Sequence, residues 1–352
     1  MKIYQKQIIL HYIKNFFIIF LALEFFYVCI NLLTTYQKLP ESANLQILYT
    51  MFQSMYAINY VLPLSVVFAM ISTVIAMVKS NELVSLYAFG ISKQSFMKPI
   101  FLSSLFITIA YISLSFTPFS YAGEYSNNIL KFSQILTSTN DLFLKKNNKY
   151  IYFEKLDPIK KEATNIKIFN VVDRDILSII SAKKGYYKGK NWILVDVEKT
   201  IKPKVDTLSY KGIKVLKYSK LEALKDFRPK IIDNIYKGEF NLSVIDAIEA
   251  LKFFNTQRLD TSRIRTIIFS QLFLPLFAPF LVLILMVRIP IISRYYNLNV
   301  VSFSLSFVTV LVWGVLFLLS KMAINSVLTP ELAIMLPILV LAVISIYSYF
   351  KK

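Results

Sequence analysis

The chain has 352 residues, 56% apolar and 15% aromatic, yet its 40 Lys and Arg outnumber its 21 Asp and Glu for a formal charge of +19. An apolar share above the roughly 45–50% of average proteins excludes a disordered, collagen-like or ordinary soluble chain. One Cys (Cys29) and one His (His11) leave no intrachain disulfide, thiolate zinc cluster or multi-histidine metal site, and no second imidazole for a nucleophilic dyad. Both read as ordinary packing or surface residues.

A bilayer crossing needs roughly 20 predominantly apolar residues. The first such stretch, Phe16–Leu33, holds one carboxylate, Glu24. A signal peptide is the alternative reading of this stretch, but the run is long and no small-residue cleavage site follows it. We read it as a retained helix, followed by Lys38. The second span is Ala57–Val78. The loop after it reads Lys79-Ser-Asn-Glu-Leu-Val-Ser-Leu-Tyr-Ala-Phe-Gly-Ile-Ser-Lys93. Ser80 or Asn81 can cap a short helix over about residues 80–90, and Glu82 in its first turn suits the helix dipole. Leu83, Leu86 and Tyr87 fall on one face, and Gly90 is placed to end the helix. Two readings stay open: a coupling helix that docks into a groove on a cytosolic partner, or an interfacial helix resting on lipid.

The third span, Pro99–Phe119, leads into a long polar segment, Ser120–Arg265, with 28 Lys and Arg against 17 Asp and Glu. Strands are expected at Asp141–Leu144, Lys149–Glu154, Asn165–Val172, Ile176–Ala182, Trp192–Thr200 and Ile213–Tyr218, all rich in Ile, Val, Tyr and Phe. Turns are expected at Lys145-Lys-Asn-Asn148, Asp173-Arg-Asp175, Lys188-Gly-Lys-Asn191 and Lys202-Pro-Lys204. Short strands at this spacing predict a sandwich or jelly-roll. Leu242–Phe254 returns to helical spacing, with Val244, Ile245, Ile248, Leu251 and Phe254 on one stripe. Three more spans follow, Thr266–Val287, Val300–Leu319 and Leu332–Phe350, with Lys321 just beyond the fifth. The expected division is 1–121 for three spans, 122–263 for the β domain and 264–352 for three spans. The fold class is an α-helical integral membrane protein of six transmembrane helices with an inserted extracytoplasmic β-jelly-roll.

Basic residues in short loops set orientation. One side carries Lys2, Lys6, Lys14, Lys79, Lys93, Lys98, Arg288, Arg294, Lys351 and Lys352 beside one acid, Glu82; the short segments of the other side carry only Lys38 and Lys321. Both termini are therefore expected in the cytosol and the β domain outside it. Nucleic-acid binding is excluded on the same ground, since 28 of the 40 basic residues lie in the extracytoplasmic segment. No Gly-rich phosphate loop, paired-carboxylate constellation or metal-ligand cluster occurs, so no enzyme, cofactor or metal is expected. ATP, if needed, must be hydrolysed by another chain. A polytopic membrane enzyme would need a catalytic constellation near the bilayer edge, and none is present.

Ser80-Asn-Glu-Leu83 followed by Ala88-Phe-Gly-Ile-Ser92 resembles the signature of the LptF/LptG family of lipopolysaccharide export permeases. Leu62-Pro-Leu64 in the second span and Asn147-Asn-Lys-Tyr-Ile-Tyr-Phe-Glu154 add weaker support, and the order of three spans, β domain and three spans is also similar to that family. The Glu-Leu pair and the hairpin lean towards the LptG branch. The resemblance implies a half-transporter in the cell inner membrane that extracts lipopolysaccharide and passes it to a periplasmic bridge. It implies five partners or ligands: an LptB-like cytosolic ATPase dimer, a second six-span subunit (LptF-like if this chain is LptG-like), an LptC-like membrane protein, an LptA-like bridge, and lipopolysaccharide itself. By the motif match, Glu82 would contact the ATPase, supported by Leu83, Leu86, Tyr87 and Gly90. Lys38 and Lys321 are expected to contact lipid phosphates as point charges, or else to snorkel as interface anchors. Glu24, an intramembrane carboxyl, is a functional suspect by its position, with assembly favoured over transport. The rival reading is a membrane-anchored receptor whose β domain binds a periplasmic partner without transport; it has no need of Glu82.

Overall fold

The computed structural model describes residues 2–135, 139–146, 149–158, 160–172, 175–189, 191–202, 212–225, 229, 242–257, 260–292, 294 and 296–350. Several expected turn residues lie outside the described residues: Asn147, Asn148, Asp173, Arg174, Lys190, Pro203 and Lys204. So do Lys351 and Lys352. The chain forms two compact units. One comprises Met1–Lys131, Leu242–Ile248 and Asp260–Lys352; the other comprises Phe132–Asn241 and Glu249–Leu259.

The helical unit contains, among the described residues, six helical segments long and apolar enough to cross a membrane, as expected. They are α1 (Ile3–Thr35), α2 (Ala43–Lys79), α4 (Lys93–Leu114), the broken α7 (Ser262–Leu272) and α8 (Phe277–Met286), α9 (Leu298–Ile324), and a π-turn (Glu331–Met335) leading into α10 (Leu336–Phe350). Two shorter helices belong to the same region, α3 (Glu82–Ala88) and α5 (Ala122–Phe132). The fourth span is broken where Pro275 opens a 3₁₀ turn, because proline brings no N–H to the helical ladder. The second span carries Pro63 inside α2 and continues through it.

α2 lies at the centre. Val66, Val67, Met70, Val74 and Val78 are buried along it and share one core with Leu281, Val282 and Leu285 of α8 and with Met97 and Ile100 of α4. Large apolar side chains elsewhere point outward, including Phe25, Phe106 and Phe303, each more than 70% exposed. Water would penalise that surface at roughly 25 cal/mol per Å². A hydrocarbon solvent does not, so the outward greasiness follows from the bilayer.

The second unit holds one six-stranded antiparallel sheet in sequential order: β1 (Thr139–Lys146), β2 (Lys149–Asp157), β3 (Glu162–Val172), β4 (Asp175–Lys188), β5 (Asn191–Ile201) and β6 (Lys214–Ala223). The inserted β domain is thus present. Its described strands follow one another as a meander, with the short links between successive strands from β1 to β5 closing as hairpins. The sheet is rolled. Phe153 of β2 and Trp192 of β5 have ring centroids 5.4 Å apart, whereas a flat sheet would hold those strands about 14 Å apart. Trp192, Phe153, Leu142, Ile151 and Leu194 fill the interior. At Gly185 an added Cβ would collide with Ile166 and lie 3.3 Å from Trp192.

Pairing is interrupted at one level across all six strands. Leu142 pairs Phe153 and Asn140 pairs Lys155, skipping Asp141 and Glu154. The skip continues through Asn165, Lys183, Asp196 and Ser219. Since every strand carries the extra residue, register is kept while the inward phase slips by one. Buried positions run 151, 153, 156 on β2 and 192, 194, 197 on β5. Alternate strands absorb the slip with left-handed residues, Asp141 (φ 52), Asn165 (φ 48) and Asp196 (φ 55), the residue types that tolerate that region best after glycine. The Tyr152 hydroxyl donates to Asp141 Oδ1 at 2.6 Å and the Asn165 amide donates to Glu154, stapling the crease from the side. That hydroxyl is held above its ordinary pKa, first because it donates to the Asp141 carboxylate.

The returning helix α6 (Val244–Gln257) forms as expected, but rotated. Val244, Ala247, Ala250 and Phe254 are its buried residues, while Ile245 and Ile248 of the expected stripe are exposed. The bond from Tyr121 to Asp246 sets this rotation.

A β-branched residue cannot adopt the left-handed conformation cheaply, so Asn165→Val should destabilise the β unit by about 1–3 kcal/mol. Asn165→Gly, which keeps the conformation, should cost less. Chemical denaturation followed through the near-UV signal of Trp192 in a Trp313→Phe background measures both, and equal losses would refute the conformational account.

Candidate functional site

Three arrangements in the helical unit could carry function. The first is the short helix α3. α2 ends at Ser80, and Asn81 turns the chain with φ 60, its N–H donating to Val78 O at 3.2 Å. α3 then closes in a Schellman turn. The Gly90 N–H donates to Tyr87 O at 3.0 Å and the Ile91 N–H to Leu86 O at 3.1 Å. Gly90 has φ +75 with open space where a Cβ would stand, so glycine is required by backbone conformation alone. Leu83 is buried, and Leu86 and Tyr87 pack partly buried against the core of the helical unit. Burial raises the Tyr87 pKa. The apolar ridge therefore fastens α3 to its own bundle. The opposite side presents Glu82, half-buried, with Ser85, Ala88 and Phe89 exposed. At this end Lys79 Nζ also donates to Asn299 Oδ1 at 3.3 Å, and Gln94 donates to Tyr349 O at 3.3 Å, tying the α3 region to the start of α9 and the end of α10.

The second arrangement is a polar seam between α1 and α2. Asn15 donates to Thr73 Oγ1 at 2.9 Å, the Tyr12 hydroxyl to Val66 O at 3.0 Å, and the Tyr49 hydroxyl to Asn31 Oδ1 at 2.6 Å. Glu24 is one rung of this seam. It is only 8% exposed and accepts from Ser54 Oγ at 2.8 Å through Oε1, while Oε2 is buried without a partner. The carboxyl thus faces its own α2 rather than an outward surface.

The third is a groove of about 410 Å³ between α1, α2 and α9. Leu23, Phe26, Tyr27 and Ile30 line one wall, and Tyr60, Leu64 and Trp313 line the other, with Asn31 and Thr34 as polar points. This volume and predominantly apolar lining suit a hydrophobic ligand. Trp313 stacks on Phe317 at 5.6 Å, and Phe317 lies edge-on to Tyr60 at 6.0 Å. Lys321 Nζ sits 5.2 Å over the Phe317 ring, which brings that lysine to the aromatic wall of the groove. Lys38 is exposed in the 3₁₀ turn Tyr36–Lys38 that continues α1 beyond Thr35. The groove residues were missed from the sequence because Trp313, Tyr60 and Tyr27 look like any membrane aromatics until three helices bring them together.

Four further polar contacts hold the unit at the connectors of the β segment. Tyr121 donates to Asp246, the Ser243 hydroxyl donates to Asp246 Oδ2 at 3.0 Å, and the Val244 N–H donates to Ser115 O at 3.1 Å. Burial and then the facing Asp246 carboxylate push the Tyr121 hydroxyl well above its ordinary pKa. Arg265 pairs with Glu331 at the π-turn, fastening α7 to the start of the last span. Among the described residues no group of three or more His, Cys, Asp or Glu could hold a metal ion.

The model of the family described as lipopolysaccharide export system permease LptF/LptG matches residues 6–351. Comparison with curated proteins finds no match.

Ser54→Ala removes the hydrogen bond to a buried acceptor and should destabilise the helical unit by about 1–3 kcal/mol. Glu24→Gln keeps an acceptor for Ser54 and should cost less. Thermal denaturation of the detergent-solubilised chain, read by size-exclusion recovery, compares the two; an unchanged Ser54→Ala would show that the rung contributes nothing.

Proposed function

The chain belongs to the LptF/LptG family of lipopolysaccharide export permeases, and from that premise we propose that it is one of two six-span subunits of an ATP-driven exporter whose ATPase is a separate cytosolic dimer. As a member of that family it is a multi-pass inner-membrane transporter component and not an enzyme. In the proposed assembly the second six-span chain is LptF-like and this one LptG-like, an LptC-like protein stands beside them, and the β unit hands lipid to an LptA-like periplasmic bridge. Both termini and α3 face the cytosol; the β unit faces the periplasm. The basic residues support this orientation, with Lys79, Lys93 and Lys98 around α3 and only Lys38 and Lys321 in the short loops of the opposite side.

The observation that carries the reading is α3 itself. A transporter with no ATP site of its own needs a rigid element through which an external ATPase moves its helices. α3 is locked by a capped end at Gly90 and by Leu83, Leu86 and Tyr87 against the core, yet it leaves Glu82 free to meet a cation. A charge pair of that kind at an interface costs roughly 2–5 kcal/mol to break. The work is required because each lipid CH₂ exposed to water costs about 0.8 kcal/mol, so a lipid with several acyl chains does not leave the bilayer unaided. We assign the groove lined by Tyr27, Tyr60 and Trp313 as the acyl-chain contact within this subunit. In this reading Lys321, over Phe317, and Lys38, exposed in the turn after α1, are the phosphate contacts.

Glu82→Lys should abolish complementation of a depleted strain and release the ATPase during co-purification; normal growth with intact association would remove the transporter reading's main support. A photocrosslinker at Lys38 or Trp313 should capture lipopolysaccharide in proportion to ATP turnover. Capture equally strong without the ATPase would exclude those positions from the transport path.

A further inference from the structure

The face of α3 that remains after its apolar ridge has packed inward carries an unusual pairing. Phe89 is 84% exposed, among the most exposed large apolar side chains in the described chain. It does not sit on a loose loop. Its N–H donates to Ser85 O at 3.0 Å, and the Schellman bonds of Gly90 and Ile91 close immediately behind it. Phe89 follows Glu82 by seven residues, two helical turns, so Glu82, Ser85 and Phe89 lie along one stripe with about 10 Å between its ends. The stripe presents an anion at one end and a fixed aromatic ring at the other.

Lipid is a poor occupant for such a stripe. Helices that lie on a membrane turn a broad apolar face to the acyl chains and a basic face to the headgroups. On α3 Leu83, Leu86 and Tyr87 are already committed to the core, Val84 is only 36% exposed, and the free stripe carries an acid while the helix has no basic residue. An ordered aromatic beside a charged group matches instead the buried anchors that dominate protein interfaces. Its conformational cost is already met by the capped helix.

We propose that Phe89 is the apolar anchor of the docking contact with the cytosolic ATPase, filling a pocket about two helical turns from the cation that meets Glu82. This inference rests on the transporter reading above and deepens it. Glu82 selects and orients the partner, Phe89 supplies affinity, and Leu83, Leu86 and Tyr87 pass the displacement into α2 without touching the ATPase.

Full-length chain is co-expressed with its complex and purified from membranes, with bound ATPase quantified by titration. Phe89→Ala should weaken ATPase association at least about tenfold, the loss of one hot-spot side chain; Phe89→Leu should recover most of it. A benzophenone amino acid at position 89 should crosslink to the ATPase, and one at position 102, on the exposed apolar surface of α4, should not. If Phe89→Ala binds as the unaltered chain does while Glu82→Lys releases the ATPase, the anchor is refuted and the transporter reading stands. If neither variant alters binding, both fail. Crosslinks from position 89 only to lipid, or only to another six-span chain, overturn the proposal even where Phe89→Ala lowers the yield of folded protein.

Discussion

The helical unit depends on one constraint: within a bilayer, a polar group must find its hydrogen-bond partner inside the protein. α1 meets it, the Oε2 atom of Glu24 apart, with almost no buried apolar surface of its own in its second half, where Glu24 is its buried residue. The seam of Asn15, Tyr12, Glu24 and Asn31 towards α2 supplies directional contacts instead. Helices in lipid gain little from apolar contact with one another, because acyl chains solvate apolar side chains equally well. A hydrogen-bonded seam therefore positions α1 where packing could not. It leaves the outward side of α1, with Leu21, Phe25 and Phe26, open to lipid or to other helices.

The same constraint separates the two ends of the bundle. At the α3 end, backbone caps do the satisfying: Asn81 and Gly90 take left-handed conformations so that two helix termini close within a few residues. The outcome is a short rigid body joined to α2 and seated on the core. At the other end aromatic side chains line an open groove, and Lys321 rests on one of them. In the proposed mechanism a push delivered at α3 reaches that groove through α2, which ends at α3 and lines the groove with Tyr60 and Leu64.

The β unit solves a different problem. Joined in sequence as one sheet, its strands cover their own apolar face by rolling. The row of extra residues from Asp141 to Ser219 allows this, since slipping the inward phase keeps both halves of each strand apolar towards the interior. Asp and Asn at the strained positions serve conformation, and their side chains then bond Tyr152 and Glu154. Such strain is worth roughly 1–3 kcal/mol per residue, small against the burial of Trp192 and Phe153 that it permits.

Runs of apolar residues, the six spans, the strands and the capped helix after α2 were readable in the sequence alone. Each is a local property, fixed by hydropathy over a window or by a residue such as Gly90 whose backbone freedom has few other uses. Orientation of faces was not readable. Leu83, Leu86 and Tyr87 form a ridge by spacing, but whether a ridge meets a partner or its own bundle depends on where α2 ends and turns, and the structure turns it inward. α6 likewise kept its helical period, with Val244 and Phe254 of the expected stripe buried and Ile245 and Ile248 turned out, and the bond between Tyr121 and Asp246 that accompanies this rotation joins residues 125 apart in sequence. The phase slip left a trace in the strands, as at Trp192, Leu194 and Val197, yet a one-residue break in alternation reads as noise until six strands align it. The sequence by itself determined which segments avoid water; only the tertiary structure decided which side chains face one another, since contacts between distant segments have no local period to announce them.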